Sequence, residues 1–374
     1  MNTFLSAAQI AQQAQYLKFV EQEIAPIAQA LDKGESDGKE ALTRLAKEGY
    51  LGITIPKEYG GQGGTLLDLS LLVEAVSGYA AGLAAALASH SSVVELILTS
   101  GSDQQKARFL PLLATGEVVG AQAFSEEQAG SDFRAVKSEA KLDGQNAHLS
   151  GTKTWVVNGS FAGLLGVLAK EGDNLSLWLV DTKSATLKKS APKSTFGFHS
   201  ASASDLTFDA HQVTLENRVA TGKQVDAIVE QVQGVAKTII AACAVGLAGR
   251  ALQKSATQAN TRQQFGGPIA QFQGVQWKLA DHSVETQASR LLVYRAGWSH
   301  ADNPKEFRKY AAMAKSYASR TARLHSGEAL QIFGMLGASC EEEMERLYRD
   351  SKLTEIFEGT SELQKVIIKE ELGV

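Results

Sequence analysis

"AHLSGTKTWVVNG", residues 147–159, interrupts a chain that is otherwise patterned for helices. It is followed by "AGLLGVLAK" at 162–170 and "LSLWLVDT" at 175–182, with turns at Asp143-Gly144 and at "EGDN", 171–174. Short runs rich in Val, Thr and Trp between such turns predict strands, here a meander that closes into a small barrel or sandwich. On the N-terminal side, Leu17, Val20, Ile24 and Ile27 keep a three-or-four spacing. "LLDLSLLVEAVSGYAAGLAAALASHSSVVELIL", 66–98, continues that helical period. On the C-terminal side, Val225, Ile228, Val232, Val235, Ile239, Ala242, Val245, Ala248 and Leu252 form one broad helical stripe. The expected fold is α+β: an N-terminal helical bundle over 1–116, a middle β-barrel or sandwich over 117–220 and a C-terminal four-helix-type bundle over 221–374.

Composition narrows the function. The chain has 374 residues, 44% hydrophobic and 21% charged, enough for two or three domains sharing large cores. A formal net charge of −4 and 37 dispersed Lys and Arg leave no basic stripe for a phosphate backbone, so nucleic acid is not an expected partner. Cys243 and Cys340 stand far apart, and the 7 His show no HExxH or paired spacing; reduced thiols and no metal are expected. "MNTFLSAAQIAQQAQYLKF" has no basic start before an apolar run, and no stretch reads as a membrane span. A cytoplasmic protein without a membrane partner is the expectation.

The junction of the strand zone with the second bundle is a natural place for a flat cofactor. "GGQGG", 60–64, lacks the strand and helix of a dinucleotide fingerprint and reads as a turn. Four other stretches carry chemistry: "AQAFSEEQAGSD" (121–132), "GTKTWVVNG" (151–159), "RQQFGGPIAQFQ" (262–273) and "ERLYRDSKLTEIFEGTSELQ" (345–364). Taken singly, each has a plain structural reading. "TWVVNG" suits a core strand and turn, Arg262 suits a solvated helix end, and Glu358 suits the start of the helix through "SELQKVIIKEEL".

Together the four stretches resemble the acyl-CoA dehydrogenase family, and the resemblance spans nearly the whole chain. It implies an FAD-dependent homotetramer that oxidises the α,β bond of an acyl thioester and passes electrons to an electron-transfer flavoprotein. Glu358 matches the family's catalytic base. Apolar Ile356 and Phe357 before it would raise its pKa, and Gly359 would let backbone approach the thioester. Relatives that carry the base on the long third-zone helix place it where this chain has Ala236, before Lys237. Lys237 would then add positive charge near the substrate.

By the same resemblance, Phe124 and Ser125 lie along the isoalloxazine, Gly130 and Ser131 approach a pyrophosphate or the substrate, and Trp155 covers the flavin edge. Arg262 would pair with the pyrophosphate of a neighbour's FAD, with Phe265 and Gln273 near the adenosine and Gln331 and Gly334 completing that contact. Thr360 and Glu362 are also implied at the cofactor. The chain departs from the family pattern at Val157, where a hydroxyl residue is usual, at Met335, where a second glycine is usual, and at Ala338, where an aromatic is usual. Two alternatives remain open: a dehydrogenase or oxidase of acyl-carrier-protein thioesters, with oxygen as acceptor, and a non-catalytic subunit of a hetero-oligomer.

Overall fold

The computed structural model describes residues 4–36 and 38–374; Met1–Thr3, at the start of the N-terminal stretch read above, and Asp37 lie outside the described residues. Helices α1 (Ala7–Phe19), α2 (Ala28–Lys33), α3 (Gly38–Lys47), α4 (Leu66–Ser100) and α5 (Asp103–Thr115) come first. Strands β1 (Gly120–Ala123), β2 (Glu139–Asp143), β3 (Asn146–Val156), β4 (Leu164–Glu171), β5 (Asn174–Asp181), β6 (Leu187–Lys189), β7 (Ser204–Thr214) and β8 (Arg218–Thr221) follow. The chain closes with α6 (Gln224–Thr261), α7 (Gln273–Asp302), α8 (Pro304–Phe333), α9 (Met344–Thr354) and α10 (Ser361–Glu371).

Local sequence sets the helix ends. Ser6 with Gln9, Thr65 with Asp68 and Ser102 with Gln105 form reciprocal capping boxes that start α1, α4 and α5. In the first bundle the expected stripe is only partly buried. Val20 and Ile24 are inside, but Leu17 is exposed, and a π-helical turn over Val20–Ile24 breaks the regular period between them.

No membrane span was expected, yet α4 and α6 are both long and apolar enough to pass for one by length and composition. Their apolar surface is spent internally, because each packs on the other and on the sheet or the second bundle. Alanine and glycine make that seam close. A β-carbon on Gly246 of α6 would lie 2.2 Å from the Glu74 carbonyl oxygen of α4. Glu74 is held on the far side of the seam by Arg290 of α7 at 2.8 Å.

Among the described residues the eight strands form one sheet in the order β6-β7-β3-β2-β4-β5-β8, with β1 parallel to β4. The two halves share a single ladder pair, Glu139 with Lys170, and β6 and β8 do not pair with each other. The sheet therefore folds over on itself without a hydrogen-bonded barrel closure. Leu149, Leu206 and Phe208 from one half share a core with Leu165, Val167, Trp178 and Val180 from the other. The alternate residues of β4, Leu164 and Leu168, face Val93 and Ile97 of α4. Covered on both faces, β4 is apolar almost without interruption.

α4 also bonds directly to the sheet. His90 Nδ1 accepts from the Gly120 amide at 3.1 Å, and Ser89 Oγ accepts from the Gln122 amide at 3.0 Å while donating to the Val157 carbonyl at 3.1 Å. Asn158 Nδ2 donates to the Ala86 carbonyl at 2.9 Å.

Gly246→Val should overpack the α4–α6 seam and destabilise the protein by about 1–3 kcal/mol or more. The measurement is the thermal unfolding midpoint; a midpoint equal to the parent's would mean the seam can open without penalty.

Candidate functional site

On β3, Ala147, Leu149 and Lys153 point inward, and strict alternation would carry Trp155 inside after them. The ladder with β7 instead slips between Lys153 and Val156. Trp155 sits at φ 57, its indole turned outward and 52% exposed, while Val156 takes the inward place. Lys193 Nζ lies 4.7 Å from the indole centroid. The Thr154 amide donates to the Ser125 carbonyl at 2.9 Å, which sets Phe124-Ser125 beside Trp155.

A buried ion pair fixes this corner. Lys153, with no accessible surface, donates to Glu126 Oε1 at 2.6 Å and to the Phe124 carbonyl at 3.3 Å. Glu126 also accepts from the amides of Lys137 at 2.7 Å and Ser138 at 3.0 Å. Burial alone would raise the Glu126 carboxyl; the Lys153 hydrogen bond and the Lys137 amide overcome it and hold the group well below the usual carboxylate range.

The second half of the site gathers around Glu358. α9 ends at Thr354, and the chain turns through Phe357 to Thr360, whose side chain caps α10. Glu358 and Gly359 both hold left-handed backbone, at φ 53 and 88. Glycine suits 359 because φ 88 is a conformation that L side chains rarely adopt. Burial raises the Glu358 carboxyl, and Lys237 and then Lys315 oppose that rise. The residue as a whole keeps some accessible surface while its carboxyl is withdrawn. Lys237 of α6 is buried, and its ammonium makes no hydrogen bond or ion pair among the described residues. Burial pushes it down to about 8, against the nearby Glu358 charge. Phe357 meets Phe198 edge to face at 5.4 Å, and Asn158, next to Val157, donates from its amide to the Ala201 carbonyl at 3.1 Å. The two halves thus share one apolar layer.

The structure brings Lys237, Glu358, Gly359 and Thr360 together, and Phe124, Ser125, Trp155 and Val157 together. Val157 is buried, with its carbonyl engaged by Ser89. Gly130 and Ser131 are exposed, with nothing near the space above Gly130. Glu362 is exposed one residue past Ser361 in the first turn of α10. Arg262, Phe265 and Gln273 lie apart from both groups, at the end of α6 and start of α7. The antiparallel α7 and α8 return Gln331, Gly334 and Met335 to that same end of the bundle. All six are exposed, Phe265 at 91%, and the Arg262 guanidinium has no partner among the described residues.

Sequence reasoning missed Lys315, Lys153, Glu126 and Gln122. Gln122 lies two residues before Phe124, and its Oε1 is buried without a partner among the described residues. A crevice of about 870 Å³ lined by Asp32, Lys193, His199, Arg250, Glu343 and Arg349 contains none of the expected site residues. Two of its arginines are paired within it, Arg250 with Glu343 and Arg349 with Asp32, each at 2.7 Å.

Lys153→Met should leave Glu126 as an uncompensated buried charge, a loss of about 3–5 kcal/mol. The double variant Glu126→Gln/Lys153→Met should recover part of it in thermal unfolding; single and double variants with parental midpoints would show that the pair is not structural.

The residues present accommodate a flavin: an outward indole, an orphaned Gln122 oxygen two residues before Phe124-Ser125, and a guanidinium without a partner among the described residues, suited to a pyrophosphate. Comparison with known proteins agrees. The acyl-CoA dehydrogenase N-terminal, middle and C-terminal domain families match residues 6–117, 121–211 and 228–373. The chain is 36% identical over 363 residues to the NADH-linked acryloyl-CoA reductase of Anaerotignum propionicum, covering 95% of this chain and 92% of that one. It is similar to butyryl-CoA dehydrogenase from Megasphaera elsdenii, with a TM-score of 0.96, 29% identity and all of both chains covered. It is also similar to a prolyl acyl carrier protein oxidase, with a TM-score of 0.93, 29% identity and 99% and 100% of the chains covered. The chain belongs to the acyl-CoA dehydrogenase family of FAD-dependent oxidoreductases.

Proposed function

We propose that the protein acts across the α,β carbon–carbon bond of an acyl thioester, with Glu358 as the base at the α-carbon. The observation that carries this reading is a carboxyl held in a left-handed turn, raised by burial and faced by two ammonium groups. Glu358 accepts the α-proton on a carboxylate oxygen, and the ammonium of Lys237 offsets the negative charge that grows on the acyl group. The Gly359 carbonyl is taken by Lys315 and Gln364, so its N–H is the backbone group left for the thioester. Bound FAD supplies a two-electron acceptor for the β-hydrogen.

Phe124, Ser125 and Trp155 would hold the isoalloxazine, with Gln122 oriented by the same strand; Gly130 and Ser131 would sit nearer the substrate. Val157 offers no hydroxyl, so its contribution is the backbone. Thr360 and Glu362 lie just beyond the base, where the start of α10 supplies a cap and a charge. Arg262, Phe265, Gln273, Gln331 and Gly334 share an exposed end of the bundle and would meet a second copy's cofactor. The face of α7 supports such an assembly: Trp277, Val284 and Leu291 recur every seven residues and are all exposed. A homotetramer is the proposed assembly, and an electron-transfer flavoprotein the proposed acceptor. A carrier-protein thioester with oxygen as acceptor is the second reading, favoured by the likeness to a prolyl acyl carrier protein oxidase.

Anaerobic flavin bleaching against acyl-CoA and acyl-carrier-protein panels tests the reading. Glu358→Gln should keep FAD yet bleach about 10²–10⁴ times more slowly than the parent; bleaching at the parental rate would remove Glu358 from the chemistry. Because burial raises the Glu358 pKa, the parental bleaching rate should climb with pH through a midpoint above the ordinary value of 4.5. A midpoint at or below that value would contradict the buried-base account.

Arg262→Ala removes no contact within the described chain, so thermal unfolding of the protein stripped of FAD should stay at the parental midpoint. FAD retention on gel filtration should fall, since a charge-assisted bond to phosphate is lost. Parental FAD retention would exclude the guanidinium from the cofactor site.

A further inference from the structure

Lys315 lies in the middle of α8, in "AAMAKSYASR", with Ala311, Ala312, Ala314 and Ala318 buried around it. Its side chain has no accessible surface. Lysine is among the residues least often found fully buried, and when buried it is held by a partner. The partner here is backbone: the ammonium donates to the Gly359 carbonyl, which Gln364 Nε2 also engages at 3.0 Å. That carbonyl closes the left-handed pair Glu358-Gly359.

We propose that Lys315 is a positioning residue for the reaction: by holding the Gly359 carbonyl, it fixes the Glu358 carboxyl in a cationic socket shared with Lys237. The proposal rests on the reading of Glu358 as the base. Two elements present charge to that carboxyl, α6 through Lys237 and α8 through Lys315. Lys315 itself faces Glu358, Lys237, Glu355 and Glu362, and Lys237 faces Arg308 and Glu230 as well as Glu358. No hydrogen bond links Lys315 directly to Glu358 among the described residues, so its effect on the carboxyl runs through the turn and through charge at short range. Burial pushes the Lys315 ammonium down to about 7, so its charge is retained at the acid side of neutrality, where a buried carboxylate needs it most.

The test compares Lys315→Gln, which keeps a donor of shorter reach but removes the charge, with Lys315→Arg, which keeps both. The Glu358 carboxyl is titrated by isotope-edited infrared spectroscopy of protein labelled with ¹³C-glutamate, assigned by difference against Glu358→Gln. Lys315→Gln should move the Glu358 midpoint up by about one pH unit or more, a tenfold change in proton affinity. Lys315→Arg should return it most of the way, and the acid limb of the flavin-bleaching profile should move in step. An unmoved midpoint in folded Lys315→Gln overturns the proposal. If that variant does not fold, Lys315→Arg decides, since a midpoint displaced by a full unit despite the retained charge and donor would contradict it. The infrared titration needs neither turnover nor substrate. A shifted midpoint in a protein that never bleaches with any acyl thioester would sink the proposed function and leave the socket standing.

Discussion

The close seam between α4 and α6 is the constraint on which the rest of the molecule depends. Small residues let the two helices approach until Gly246 has no room for a side chain against the Glu74 carbonyl. From that seam α4 reaches one way to the folded sheet, through Ser89, His90 and the Asn158 bond to Ala86. α6 reaches the other way, to α8 and the turn that carries Glu358, and contributes Lys237. The corner that carries Phe124 and Trp155 and the turn that carries Glu358 therefore hang from the same pair of helices. A displacement of one against the other would separate Phe198 from Phe357 and open the layer between the two halves of the site.

Much of this was legible in the sequence. The change of period at residues 118–219 marked the strands, and Glu358 announced itself by an apolar approach and a Gly-Thr-Ser exit. What sequence did not show has physical causes. The outward turn of Trp155 comes from a slipped ladder with β7, a partner 50 residues away that no local pattern names. Barrel and sandwich were both open from the sequence, and no local pattern names the single ladder pair, Glu139 with Lys170, that the two halves of the sheet share. α4 and α6 look like membrane spans by composition because alanine-rich helices that pack on each other resemble helices that pack on lipid.

Buried charge was the least legible feature. Lys153 stands at an inward strand position, and alternation could have flagged it, but its partner Glu126 lies in a loop 27 residues earlier. Lys315 reads as an ordinary surface lysine; only its alanine neighbours at 311, 312, 314 and 318 hint that its helix face is inside. Both lysines donate to a backbone carbonyl, but only the Gly359 carbonyl held by Lys315 belongs to a left-handed turn. Phe124 is bound by Lys153 near Trp155, and Gly359 by Lys315 next to Glu358. Strained backbone persists where surrounding contacts over-determine it: at Glu358-Gly359 those contacts include the Lys315 ammonium, and at Trp155 the slipped ladder and the Asp205 carboxylate that accepts from its amide.

Proton removal from the α-carbon by Glu358 is the step on which the proposed function turns. It is tested most directly without any redox step, by α-hydrogen exchange in D₂O with 3,3-dimethylbutyryl-CoA, which has α-hydrogens and none on the β-carbon. Followed by proton NMR, the parent protein should wash out the α-hydrogens at a rate that rises with pH, and Glu358→Gln should leave them near the background rate. Equal exchange by parent and variant would contradict the account.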